Sequence, residues 1–299
     1  MQDSEIRLNV ADLVVSLTTE LGVRVVGRVD SFVVDEPAEA VINVRLKHQS
    51  VRAADWHPLS TGEHLGWNAF VSEDGESILV ARLDGNLLVR AEAKQPCELV
   101  DVLLTTPETV RPGSKPPDRE VLLVEVLPVP VVMLLSGRGG LFLHSCAVAL
   151  DEAGILFSGV SGSGKSTMAS LWQSFGPATS TVIDDEHVLA RQLADTTLLY
   201  GTPWTRGPRA ASFSRTPLRF IFFLSHGEQN ECTRMTAGEA FAQLLSQVFL
   251  PLWSREQVEL SMHTCSALLQ DVACYHLRFV PGPEVVDFVR DLLRGSVRP

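Results

Sequence analysis

A glycine-rich octapeptide between a predicted strand and a predicted helix constrains this 299-residue chain most. Residues 159–166 read GVSGSGKS and satisfy the spacing G-x-x-x-x-G-K-[ST]. The apolar run at residues 155–158 favours a buried strand, and the Gly-Pro pair at residues 176–177 predicts the end of the following helix. Helical spacing predicts one buried face of that helix, formed by Met168, Leu171, Trp172 and Phe175. The order strand, turn, helix predicts an α/β fold.

This loop predicts binding of a nucleoside triphosphate, with Mg²⁺·ATP as the expected ligand. Glycines let backbone N–H groups point into a concave turn, and the positive end of the next helix adds to the attraction for phosphate. Lys165 can reach the β- and γ-phosphates, while the hydroxyl of Ser166 can ligate Mg²⁺. The predicted cofactor-binding residues are Gly159, Ser161, Gly162, Ser163, Gly164, Lys165, Ser166 and Thr167.

Composition and charge limit the classes of partner. The net charge of -11 argues against affinity gained by neutralising nucleic-acid phosphates. Five cysteines without a C-x-x-C pair fit reduced thiols in the cytoplasm. The N-terminus lacks the basic start and apolar run of a signal peptide, and the longest apolar stretch, residues 121–135, is too short to cross a bilayer. We therefore predict a cytoplasmic protein with no nucleic-acid or membrane partner.

The first part of the chain, residues 1–115, predicts a smaller β-rich domain of unknown role. β-Branched residues favour strands at residues 23–34 and 40–46. An Asp-Gly pair at residues 84–85 separates two strand-like runs and predicts a hairpin within a three-strand meander. The segment RPGSKPP at residues 111–117 can continue neither a helix nor a central strand, and it predicts a linker.

The rest of the chain, residues 121–299, predicts one domain of alternating strands and helices. A hairpin is expected over residues 147–158. Further strands are expected at residues 181–183, 220–224 and 274–280. Thr236 and Ser254 each open a capping box at the start of a helix. The C-terminal helix is expected to bury Val285, Val286, Val289, Leu292 and Leu293.

An acidic run follows the predicted strand at residues 181–183. Asp184 and Asp185 would lie beside the phosphates at the edge of the sheet, where one carboxylate can hold Mg²⁺ and another can accept the proton of an attacking hydroxyl. Adjacent side chains point to opposite faces of a strand, so either residue could be the base. Asp185 is the predicted metal ligand together with Ser166. His144 precedes another strand, where spacing alone favours a packed histidine over a catalytic one.

The ordered combination of His144, the loop at residues 159–166 and the VIDD run at residues 182–185 resembles the catalytic domain of HPr serine kinase/phosphorylase. The segments GTPW at residues 201–204 and CYHLRF at residues 274–279 are similar to HprK-related proteins in particular. The resemblance spans about residues 121–299 and extends, more distantly, to ATP-dependent phosphoenolpyruvate carboxykinase. It implies a mixed sheet of the carboxykinase type and Mg²⁺·ATP-dependent transfer to a hydroxyl, with Asp184 or Asp185 as base and His144 close by.

The chain departs from that family at one signature. The Arg-Gly-Leu or Arg-Gly-Ile segment of HPr kinases is not recognisable, which argues against HPr as acceptor and against reverse phosphorolysis. In its neighbourhood the chain carries Arg206 and Arg209, which we predict to neutralise charge on the transferred phosphoryl group.

The sequence favours a kinase acting on an unidentified hydroxyl of a peptide, protein or small molecule. A nucleotide hydrolase or switch is the first alternative, although the Asn-Lys-x-Asp and Leu-Ser-Gly-Gly-Gln signatures of two such classes do not occur. A non-catalytic nucleotide-binding regulatory protein is the second. HPr kinases assemble into oligomers, so the resemblance leaves a homo-oligomer open.

Overall fold

The chain forms two β-sheets, and helices accompany the second of them. The computed structural model describes residues 4–19, 29–46, 56–59, 67–72, 77–82, 88–94, 99–105, 127–204 and 214–296. The strands of the first part are β1 (Ser4–Val10), β2 (Leu13–Thr19), β3 (Ala40–Leu46), β4 (Trp56–Leu59), β5 (Trp67–Ser72), β6 (Ser77–Arg82), β7 (Leu88–Lys94) and β8 (Leu99–Thr105). They form one sheet in the order β1-β2-β3-β8-β7-β6-β5-β4.

The second part alternates strands and helices, as predicted. Its strands are β9 (Gly140–Leu143), β10 (Cys146–Leu150), β11 (Ala153–Ser158), β12 (Ser180–Asp184), β13 (Val188–Leu193), β14 (Thr196–Tyr200), β15 (Arg215–His226), β16 (Glu231–Arg234) and β17 (Ala273–Phe279). Its helices are α1 (Pro128–Ser136), α2 (Lys165–Phe175), α3 (Ala237–Leu245), α4 (Arg255–Leu268) and α5 (Glu284–Ser296).

The second sheet is mixed and curled. Its main order is β12-β10-β11-β15-β14-β13-β9, and β17 pairs with both β15 and β16. Strands β11, β15 and β17 run parallel, whereas the other pairs are antiparallel. The long strand β15 pairs with β14 through its first residues and with β11 and β17 through the rest, so the sheet turns along this strand. The predicted mixed α/β fold preceded by a β-sheet is present.

Helices cover both faces of the second sheet. Phe222 packs with residues of α2 and α5 such as Trp172 and Val289, while Ile221 packs with residues of α3 and α4 such as Leu244 and Leu268. Neighbouring residues of β15 face opposite sides because side chains alternate along a strand. Full burial of each such side chain contributes about 1.5–3 kcal/mol. The strand that leads toward the candidate site is therefore fixed from both sides.

A third hydrophobic cluster joins the two parts of the chain. It contains Leu13 and Phe32 from the first part, every Val, Met and Leu of α1, and Phe142 and Tyr200 of the second sheet. The predicted linker at residues 111–117 lies outside the described residues, and the division into domains at residues 115 and 121 stays a prediction.

Three local predictions were wrong in part. At the end of the predicted strand at residues 23–34, Asp30–Phe32 form a 3-10 helix instead. Phe175 is 52% exposed at the end of α2, although Met168 and Trp172 are buried as expected. Ser254 caps α4 by accepting from the Gln257 N–H, but the Gln257 side chain does not return to the cap, since it contacts Trp253 and the Met133 carbonyl oxygen.

Most of the remaining local predictions were confirmed, although Leu171 and Leu292 are only partly buried. Thr236 and Glu239 form the reciprocal capping box of α3. The hairpin β10–β11 and the meander β5–β6–β7 are present, with the Asp-Gly turn itself outside the described residues. In the described part of the chain the cysteines are free, and burial raises the pKa of Cys265 to about 12, which keeps its thiol protonated. No described helix combines the length and apolar character needed to cross a membrane.

Candidate active site

A cavity of about 450 Å³ lies at the carboxyl ends of the parallel strands β11 and β15. Ligand sites of open α/β sheets lie at this end of the strands, because the loops that leave them meet there. The lining residues are His144, Ser161, Gly162, Gly164, Lys165, Ser166, Thr167, Asp185, Glu186 and His226. Residues from four separate segments of the chain therefore meet in one site.

The glycine-rich loop connects β11 to α2, and two of its glycines are required by geometry. Gly164 has φ +100°, a left-handed conformation that L side chains rarely adopt, and a Cβ there would lie 2.5 Å from Cζ of Phe279. Gly159 has φ +151°, and a Cβ there would lie 2.6 Å from Oγ of Ser163. The loop can therefore fold tightly against β17 and against itself.

Lys165, the first residue of α2, points its ammonium group back into the loop. Its Nζ donates to the carbonyl oxygens of Gly159 at 2.6 Å and Val160 at 3.3 Å, and the residue is only 6% exposed. Burial lowers the pKa of Lys165, an effect that the charge of a Cys146 thiolate would oppose. The site thus holds one cation that is incompletely compensated by carbonyl dipoles.

This burial predicts a pH dependence of stability. Because the pKa of Lys165 is lower in the folded state, the unfolded chain binds more protons between that pKa and the ordinary lysine value of about 10.4. The contribution of this residue to the free energy of unfolding is therefore expected to increase as pH rises through that interval. Lys165→Met should lack this gain. Urea unfolding of both proteins between about pH 8 and pH 10 measures the difference, and parallel pH profiles would contradict the prediction.

Asp184 ends β12 and is turned into the protein. Its Oδ1 accepts the backbone N–H groups of Glu186 and His187, each at 3.0 Å. Its Oδ2 accepts the N–H of Thr202 at 3.3 Å and the Thr202 hydroxyl at 3.0 Å. The residue is 3% exposed and does not line the cavity. Its carboxylate therefore fastens two turns together, which sequence alone did not indicate.

Asp185 and Glu186 have the opposite orientation and line the cavity together with Ser166 and Thr167. Both acidic side chains are partly exposed, so they are accessible to solvent and to a ligand in the cavity. Asp185 thus lies in the same cavity as residues of the glycine-rich loop. Glu186 was not predicted as a site residue, although it directly follows the pair.

His144 lies between β9 and β10 and lines the same cavity. Its backbone N–H donates to the carbonyl oxygen of Gln247 at 2.9 Å. Its ring lies 5.7 Å from the ring of His187, and His187 in turn stacks on Phe142 at 5.1 Å. His144 therefore lies beside the turn that carries the carboxylates, as predicted.

His226 is a cavity residue that sequence reasoning missed. It is the last residue of β15, and its Nε2 lies 2.7 Å from the carbonyl oxygen of Gly162. Its ring stacks on Phe279, the residue that also contacts Gly164. No local signal marks His226, because only the pairing of β15 with β11 brings it to the loop.

The remaining predicted residues fall outside this group. Gly159 and Ser163 shape the loop without lining the cavity, and Asp184 supports the acidic turn from behind. Arg206 and Arg209 lie outside the described residues. Within the described part of the chain, no cluster of three or more His, Cys, Asp or Glu side chains could hold a metal by itself.

Comparison with known proteins found similarity to solved structures but no match to a protein-family model or to a curated protein. Among solved structures, the chain is similar to the Hpr(Ser) kinase/phosphatase from Coxiella burnetii, with a TM-score of 0.29 and 11% sequence identity. The similarity covers 52% of this chain and 95% of that one. A TM-score this low identifies no shared fold, so the assignment of a function depends on the residues of the cavity.

Proposed function

We propose that this protein is an Mg²⁺·ATP-dependent kinase that transfers the γ-phosphate to a hydroxyl group of a peptide, protein or small molecule. The observation that carries the proposal is the meeting of Lys165, Ser166 and Asp185 in one cavity. A cation at a glycine-rich loop, a hydroxyl at the first turn of the next helix and a carboxylate opposite are the groups that phosphoryl transfer from ATP requires.

Lys165 and the loop would bind the phosphates. The backbone of the loop and the N-terminus of α2 together favour an anion. The ammonium group of Lys165 now donates to the carbonyl oxygens of Gly159 and Val160. Phosphate oxygens carry full negative charge and are stronger acceptors than these carbonyl groups. We therefore expect Lys165 to move its hydrogen bonds from the loop to the bound phosphates.

Ser166 and Asp185 fit Mg²⁺ by the chemistry of their donor atoms. Mg²⁺ prefers hard oxygen ligands and is commonly held by one or two protein oxygens together with substrate phosphates. The hydroxyl of Ser166 and the carboxylate of Asp185 line the cavity and supply such oxygens. When bound, the ion would neutralise charge on the phosphates during transfer.

Asp185 is also our candidate for the base that accepts the proton of the attacking hydroxyl. Asp184 is unsuited to that role, because four donors already surround its carboxylate. Glu186 and His144 line the cavity beside Asp185 and could hold or relay the proton. If Asp185 is committed to Mg²⁺, Glu186 is the carboxylate left to act as base.

The experiment that tests the proposal follows the fate of the γ-phosphate. The full chain is incubated with Mg²⁺ and [γ-³²P]ATP, with and without peptide and small-molecule fractions of the source cell. We expect label on an acceptor with the wild type and none with Lys165→Met. Label released only as free phosphate, whatever is added, would instead identify a nucleotide hydrolase or switch. ATP binding without any turnover would identify a regulatory protein.

A further inference from the structure

We propose that the β1–β2 turn is a positioning element of the proposed active site and gives the N-terminal part of the chain a role in catalysis. It would hold the acidic turn at residues 184–187 through a clamp formed by Asp12, Tyr200 and Arg215. The effect on catalysis rests on the proposed function. The positioning of the acidic turn depends only on contacts within the ligand-free protein.

The clamp consists of two hydrogen bonds to one carboxylate oxygen. Oδ2 of Asp12 accepts from the Tyr200 hydroxyl at 2.7 Å and from Nη1 of Arg215 at 2.7 Å. Tyr200 is fully buried and ends β14, whereas Arg215 begins β15 and pairs with it. Asp12 is 20% exposed, so the charged pair with Arg215 is only partly shielded from water. The buried Tyr200 bond is therefore the contact that fixes the end of β14.

The turn that presents Asp12 is held in an uncommon backbone conformation. Ala11 and Asp12 have φ values of 55° and 56°, in the left-handed region where alanine is rarely found. Nη1 of Arg191 donates to the Ala11 carbonyl oxygen at 2.8 Å, and Ala11 is 1% exposed. Such a conformation persists where surrounding contacts determine it. The second sheet, through Arg191 and Tyr200, thus fixes the position of the turn.

A short path leads from the clamp to the cavity. Two residues after Tyr200, Thr202 donates both its N–H and its hydroxyl to Oδ2 of Asp184. The other oxygen of Asp184 holds the N–H groups of Glu186 and His187, and Asp185 lies between these contacts. Release of Tyr200 would loosen Thr202, and the acidic turn would lose the support behind it.

The glycine-rich loop is fixed by different contacts. Gly164 packs against Phe279, and the carbonyl oxygen of Gly162 lies 2.7 Å from His226. Loosening of the clamp should therefore affect the carboxylates while leaving the phosphate loop in place. Loss of the clamp would thus affect the carboxylates and not the loop, whereas general destabilisation of the protein would affect both.

The test compares Tyr200→Phe and Asp12→Asn with the wild type in the full chain. Tyr200→Phe removes only the hydroxyl, and Asp12→Asn removes the charge while keeping a residue that tolerates the left-handed turn. Arg255→Ala is the matched control, because it removes the exposed Arg255–Glu259 pair on α4, away from the clamp. The double variant should behave like Asp12→Asn alone, because Asp12 accepts both hydrogen bonds of the clamp.

Hydrogen exchange is the first measurement. Amide exchange at Glu186, His187 and Thr202 is expected to rise about tenfold in both clamp variants, with α2 unchanged. Unchanged exchange at these three amides would overturn the inference. This measurement requires no nucleotide, so it decides the positioning role even if the wild type binds no ATP, which would refute the proposed function alone.

ATP affinity with and without Mg²⁺ is the second measurement. In the wild type, Mg²⁺ should tighten ATP binding through Asp185, and Asp185→Asn should abolish this enhancement. The clamp variants should lose most of the Mg²⁺ enhancement while their affinity for ATP in EDTA stays within about twofold of the wild type. Full retention of the enhancement, or an equal loss of affinity under both conditions, would show that the clamp does not position the carboxylates.

Discussion

Lys165→Met is expected to lower phosphotransfer by about 10²–10³-fold. Lys165 is the only lysine or arginine among the described residues that line the cavity. Its removal takes away the charge that would be used both to bind the phosphates and to stabilise their charge during transfer. Methionine keeps the aliphatic stem of the lysine, so the packing at the start of α2 should survive.

Steady-state kinetics with Mg²⁺·ATP measures this effect, and urea unfolding checks the fold. Burial lowers the pKa of Lys165, which means that the fold disfavours its charge, so replacement by methionine should not destabilise the ligand-free protein severely. Arg255→Ala, which changes an exposed residue of α4, is the control and should keep full activity. Undiminished turnover in Lys165→Met would refute the kinase and the hydrolase hypotheses together.

The second large effect is a difference between the two aspartates: replacement of Asp185 should lower turnover without loss of stability, whereas replacement of Asp184 should lower stability. Asp185→Asn is expected to lower turnover by about 10²–10⁴-fold while leaving stability nearly unchanged, because this partly exposed side chain lines the cavity. Asp184→Asn is expected to cost about 1–3 kcal/mol of stability, because an amide cannot accept all four hydrogen bonds of the buried carboxylate.

The two variants serve as controls for each other, since they differ by one position in the chain. Urea unfolding gives the free energy of unfolding, and turnover is measured at a temperature where both proteins are folded. The contrast lies in stability: Asp184→Asn should also lose activity, through displacement of the acidic turn. A stable Asp184→Asn protein combined with an unstable Asp185→Asn protein would reverse the assignment of the carboxylates.

The parts of the site that could be predicted from sequence are those formed by residues adjacent in the chain. The strand β11, the glycine-rich loop and the helix α2 follow one another directly, so their order and their glycines specify the turn locally. The hairpin β10–β11 and the cap of α3 are equally local. These signals act over a few residues and need no knowledge of the sheet order.

Burial of individual side chains was less predictable even where the element was right. Phe175 shares the helical spacing of Met168 and Trp172, yet it is exposed at the last residue of α2. Gln257 has the right position for a capping box, but it contacts Met133, a residue 124 positions away. The Gln257 side chain therefore bonds to a residue distant in the chain and not to the backbone of the helix cap.

The sequence by itself determined the glycine-rich turn between β11 and α2, the alternation of strands and helices in the second part, and the two adjacent carboxylates at the end of β12. Only the tertiary structure decided which carboxylate faces the cavity. Adjacent strand residues point to opposite sides of a sheet. In addition, the pairing of β10 with β12 shifts register between Ala147 and Val148, next to the pair formed by Ala147 and Asp184. The partner of Asp184 lies 18 residues away, and His226 lies 64 residues from Gly162. Such contacts depend on the order of strands in the sheet, which periodicity and turn chemistry do not encode.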